Sequence, residues 1–172
     1  MSSELQEPDD ALADPAELLA GYLDYYRAVI VGKLEGMAEA DLRRSVLPSG
    51  WSPLELLKHL TYVERRWFQW GFVAQQVDDP WGDNGPDGRW RVGEDETVDD
   101  LVAAFRAQAE VSRSVAASAR LSDLAALGGR FQPGGPHRPT LAWTMFHVLQ
   151  EYARHAGHLD VARELVDGVV GE

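Results

Sequence analysis

Five histidines are present and no cysteine, so any metal ligation or proton transfer must fall to His, Asp and Glu. The last third of the chain concentrates them in FHVLQEYARHAGH, with Glu151 and His155 four residues apart. On a helix that spacing brings both side chains to one point in space. With Glu151 at 0° and ~100° per residue, Thr144 lies near +20°, His155 near +40°, His158 near −20° and His147 near −40°. Leu141, Val148, Tyr152, Leu159 and Ala162 fall at about +20° to +100° on the same wheel. Glu151 and His155 therefore sit on a face that must be buried. A buried carboxylate is costly unless it is paired or holds a metal. Earlier in the chain, with His59 at 0°, Leu56, Val63, Trp67, Trp70 and Ala74 lie between about +20° and +80°. His59 thus borders a second apolar stripe. His59, Glu151 and His155 can converge on one divalent ion and leave coordination positions open, as catalytic sites do. The same residues also suit a plainer arrangement, with Glu151 and His155 a metal-free buried ion pair and His59 a hydrogen-bonded core residue. His147 and His158, at the margin of the face, are expected around such a centre together with Arg66 and Tyr152. His137, among glycines and prolines, reads as an exposed loop residue.

The elements that must carry these residues are helices. Pro15 opens the first, running to about Leu34 with Leu19, Leu23, Tyr26 and Ile30 at helical spacing. Ser52, Pro53 and Glu55 make a capping box for the second, expected to reach about Gln76. Thr97 caps the third, which thins to alanine near Ala119, and Thr140 opens the last, which runs to about Val166 before Gly168. Residues 78–95 and 121–139 are long connections. The first carries Trp81 and Trp90 and is expected to pack. No strand is indicated. The fold class is all-α, a four-helix bundle with long connections between helices 2 and 3 and helices 3 and 4, formed by residues 15–172 behind a flexible tail, 1–14.

Composition narrows the function classes. Against 16 Lys and Arg stand 28 Asp and Glu, a formal charge of −12 in 172 residues. Such a surface repels phosphate backbones and anionic lipid, so neither nucleic acid nor membrane is an expected partner. No apolar stretch approaches the ~20 residues of a membrane span. The start, MSSELQEPDDALADP, has neither the basic nor the apolar part of a secretory signal, and the expected location is cytoplasmic. Without cysteine, thiol chemistry here requires a thiol brought in by a small molecule.

The stretches SGWSPLELLKHLTYVERRWFQW and LAWTMFHVLQEYARHAGHLDVARELVDG resemble an uncharacterised actinobacterial branch of the DinB/YfiT-like metal-dependent superfamily. The resemblance covers essentially the whole chain. The common superfamily pattern is three histidines on a divalent metal, one from helix two and two spaced by four on the last helix. His59 matches the first and His155 the third, while Glu151 replaces the middle histidine. That departure is similar to the N-terminal metal-binding domain of mycothiol-dependent maleylpyruvate isomerase, where His, Glu and His bind zinc. The isomerase activity itself is not implied, since that branch carries an additional domain. What the resemblance implies is a divalent-metal-dependent S-transferase joining a low-molecular-weight thiol such as mycothiol to a small electrophile. Zinc is the expected metal, with nickel, iron or manganese as alternatives, and a homodimer is the expected assembly. The competing readings are a metal-dependent hydrolase of a small amide or ester, and a non-catalytic dimeric metal-binding stress protein.

Overall fold

The computed structural model describes residues 5–135 and 137–171. The described chain is all-helical: α1 spans Pro15–Leu34, α2 Glu39–Leu42, α3 Pro53–Glu64, α4 Val98–Ala117 and α5 Leu141–Asp167. Only α2, a single turn in the first connector, has no counterpart in the sequence reading. The four longer helices share one apolar core, with α1 packed along α5 and α3 against both α4 and α5.

Local chemistry sets the helix ends. Asp14 accepts from the amides of Ala16 and Glu17 at the start of α1. Ser52 and Glu55 form the reciprocal capping box that starts α3, with Glu55 Oε2 2.7 Å from the Ser52 amide. Thr97 and Thr140 accept from Asp100 and Trp143, and Gly168 ends α5 in the left-handed conformation at φ 75°. Residues 5–14 run beside α1, where Pro8 sits so close to Gly21 that a Cβ there would lie 2.9 Å from the proline ring.

The second helix departs from its expected course. After Glu64 it winds as a π-helix over Arg65–Phe72 and stops there, short of Gln76. The wider turn is accommodated at Gly71, where a Cβ would meet the Arg66 carbonyl at 2.7 Å. Rewinding rotates the face. Trp67 and Trp70, on the apolar stripe of a regular helix, are only half-buried, and Arg66, Phe68 and Phe72 turn inward. The end of the segment is met by the 121–139 connection. Ala126 N–H donates to Phe72 O (2.7 Å) and Arg130 N–H to Trp70 O (3.1 Å). Gly129 permits that approach, because a Cβ there would stand 2.1 Å from Trp70 O.

The core also holds an ionic crosslink. Arg27 of α1 donates to Glu64 Oε1 of α3 at 2.7 Å, and Tyr152 of α5 donates to the same oxygen at 2.5 Å. All three side chains are buried. Burial opposes the Arg27 charge, but Glu64 outweighs it and holds the guanidinium protonated. Removing one partner of such a pair costs about 3–5 kcal/mol, because it strands the other charge. Tyr152, expected near the metal residues, is thus engaged in the core by Glu64.

Candidate metal centre

His59 projects from the middle of α3, and Glu151 and His155 from one face of α5. One ligand atom from each lies within 4.8 Å of the others, close enough to share an ion. His155 Nε2 is 3.3 Å from Glu151 Oε2, and the His59 and His155 rings meet edge to face at 5.3 Å. His155 is buried and Glu151 partly so.

A fourth residue orients the set. Asp83, from the loop between α3 and α4, is buried to 1% exposure. Its Oδ2 lies 3.0 Å from His59 Nδ1, and its two oxygens also accept from Arg66 Nη1 and Nη2 at 2.6 and 3.1 Å. An Asp kept ionised by that fork accepts a hydrogen bond from His59 Nδ1–H and leaves Nε2 bare for an ion. Burial alone would raise the Asp83 pKa, but the hydrogen bonds from His59 and Arg66 hold it below the usual carboxylate range. The loop is shaped for the task by a narrow turn: Arg91 N–H donates to Asp83 O, Gly85 N–H to Arg89 O, and Gly88 takes φ 76°. The same turn returns Trp90 onto His59, ring stacked on ring at 3.9 Å and 19°, and 5.4 Å from His155.

Protonation states suit a metal. Glu151 is pulled down to about 2, first by its hydrogen bond with His155, against an opposing effect of burial. Burial lowers His59, with the Asp83 hydrogen bond opposing it, and also lowers His147 and His158. Near neutral pH the site thus offers an anionic carboxylate at Glu151 and a neutral imidazole at His59, the forms that bind divalent ions. This donor chemistry, with the second nitrogen of His59 already tied to a carboxylate, fits the His₂Glu group the sequence pointed to.

His147 and His158 flank the triad. His147 Nε2 is 3.9 Å from Glu151 Oε1, and its ring packs on Trp143 and Trp67. His158 Nδ1 is 3.4 Å from His155 Nδ1, and its ring is 6.0 Å from Trp51. Arg66 reaches the site through Asp83. His137 is exposed in the loop. An open cleft of about 190 Å³, lined by Ser49, Gly50, Trp51, Gly88, Arg89 and Trp90, adjoins the stacked Trp90. The larger cavity between α1 and α4, about 680 Å³, is lined by none of the three clustered residues.

The family model described as mycothiol-S-transferase matches residues 18–168. The chain belongs to the mycothiol S-transferase family. That family lies within the DinB/YfiT-like metal-dependent superfamily, as the KHL and EYARHAGH stretches implied. No curated protein matches the chain. The matched region contains the clustered His59, Glu151 and His155 together with Asp83 and Arg66. Asp83 was missed in the sequence. It stands in PWGDNGPDG among other turn-forming acids, and only the backbone path separates it from Asp87.

Proposed function

We propose that this protein is a metal-dependent S-transferase that joins mycothiol to a small electrophile. The observation that carries the reading is the convergence of His59, Glu151 and His155 within 4.8 Å, with His59 fixed by buried Asp83, in a chain of the mycothiol S-transferase family. The metal is zinc in this reading, with nickel, iron or manganese accepted by the same donors. When bound, it supplies Lewis acidity that lowers the pKa of an incoming thiol.

The chain's own residues do the rest. Asp83 holds the His59 tautomer, and Glu151 contributes the anionic charge. Trp90, stacked over His59, keeps water from one side of the centre. His147, kept neutral by burial, has its Nε2 beside Glu151 and is the base placed to take the thiol proton. The sulfur then forms its bond to the electrophilic carbon, and the leaving group departs with the displaced electron pair or, in an addition, the carbon next to it takes up a proton. The absence of cysteine means that the protein offers no competing thiol of its own to the electrophile.

The test is turnover of mycothiol with a panel of small electrophiles by zinc-loaded and chelator-treated protein. Zinc-dependent formation of the thioether is the expected result. Thiol-independent turnover of an amide or ester would replace this reading with a metal hydrolase. Metal retention without turnover of any kind would leave a binding protein.

A further inference from the structure

Among the described residues, Arg130 is a cation without an anion. Its loop is pinned to the end of the π-helical segment by the Arg130 amide on Trp70 O and by the close approach of Gly129. The guanidinium is thereby laid over the Trp67 ring, 4.3 Å from its centroid, with Trp81 at 5.7 Å and Trp70 at 5.8 Å. Among the described residues no carboxylate pairs with it, and its Nη1 is buried without a hydrogen-bond partner. Asp83, the carboxylate paired with Arg66, is already occupied on both oxygens by Arg66 and His59. Arg66 is itself a second cation over the same Trp81 ring, at 4.5 Å, and adds repulsion. Burial and Arg66 both push the Arg130 pKa down, yet a guanidinium does not escape by losing its proton. Aromatic faces compensate only part of the lost hydration.

This unpaired cation stands one aromatic layer from the triad. Trp67 contacts both the Arg130 guanidinium and the His147 ring, at 4.3 Å from each, and His147 reaches Glu151. The Arg130 charge also acts on His147.

We infer that Arg130 recognises a carboxylate on the electrophilic substrate. The inference rests on the transferase reading of the site. Mycothiol supplies no carboxylate, because its cysteine is N-acetylated and joined to glucosamine through an amide. The anion that completes Arg130 therefore belongs to the other reactant. A planar guanidinium with free donors takes a carboxylate through two parallel hydrogen bonds, which fixes the reactant's orientation as well as its charge.

The experiment uses the zinc-loaded full chain and two matched pairs: benzoate and benzamide for calorimetric binding, chloronitrobenzoate and chloronitrobenzamide for transfer from mycothiol. The parent binds benzoate more tightly than benzamide by on the order of tenfold to a hundredfold, the range for a hydrogen-bonded ion pair. The same preference appears in kcat/KM for the acid over the amide, after correction for their uncatalysed rates. In Arg130→Met both preferences collapse toward one. Arg130→Lys keeps the stacked charge but loses the fork, so it folds like the parent and retains only part of the preference. Equal binding of benzoate and benzamide by the parent overturns the inference. So does a preference unchanged in the folded variants, which would put the carboxylate on the metal. If benzoate binding depends on Arg130 but neither electrophile yields a thioether, the carboxylate site stands and the transferase reading falls. If both electrophiles are turned over equally by parent and variants, the transferase reading stands and the carboxylate site falls.

Discussion

Asp83 Oδ2 lies 3.0 Å from His59 Nδ1, so a carboxylate from a loop decides which nitrogen of a helix residue faces Glu151 and His155. The pairing joins the two longest-range requirements of the centre, the register of α3 and the turn of residues 83–91. It also gives Arg66 its counter-ion.

Asp83→Asn should keep the fold and weaken the metal. The amide keeps one acceptor oxygen where Asp83 offers two, so its NH2 must face either His59 or Arg66, and it leaves Arg66 without a charge partner. Loss of such an outer partner typically lowers metal affinity about 10–100-fold. Competition with a chromophoric chelator measures it. An affinity equal to the parent's would remove Asp83 from the centre.

Much of this was legible in the sequence, and the reasons are particular. Glu151 and His155 lie on α5, a regular helix, so the wheel that placed them on the Val148–Leu159 face describes the real geometry. The caps at Ser52, Thr97 and Thr140 act as their residue types require. Beyond Glu64 the wheel fails, because a π-helix does not advance by a regular helix's angle. Arg66 consequently faces Asp83, and Trp67 is left half-buried beneath Arg130. The Arg27–Glu64 pair left a readable trace: Arg27 falls four after Leu23 and three before Ile30, and Glu64 four after Leu60, each on an apolar face. Asp83 and Arg130 left none, since long connections carry no periodicity.

Acidification should destabilise the chelator-treated protein before any carboxylate titrates. Burial lowers His59, His147 and His158 in the folded chain, while the unfolded chain takes up these protons near the ordinary value of about 6.5. The unfolded state then binds more protons, and stability rises with pH from the lowered values up to that point and levels off above it. Urea unfolding at about pH 7.5 and about pH 5.5 should show the lower stability at the lower pH. Glu151 acts in a separate window. Its contribution is present above the ordinary carboxylate range and is lost only as pH falls toward about 2. Equal stability at the two pH values would contradict the neutral-imidazole assignment.

The outer side of α5 predicts self-association. Trp143 and Phe146 are 50% and 59% exposed. Trp143 backs onto His147 and Trp67 but keeps its other side in water. Trp90 and Trp81, which would have to cover these rings in a monomer, are engaged with His59 and with Arg66 and Arg130. A symmetric pair that shields this patch is the expected state. Sedimentation should give twice the 19.1 kDa of one chain. A single-chain mass that persists when concentration rises about tenfold would contradict it.

The most direct test of the centre is optical. Cobalt(II) replaces zinc in such sites and reports a bound thiolate through a sulfur-to-metal charge-transfer band. Because the protein has no cysteine, any such band comes from the added thiol alone. Cobalt-loaded protein should gain the band on titration with mycothiol, His137→Ala should behave as the parent, and His155→Ala should lose both tight cobalt binding and the band. Cobalt held as tightly by His155→Ala as by the parent, or a loaded parent that shows no band at saturating mycothiol, would contradict a thiol-binding metal at His59, Glu151 and His155.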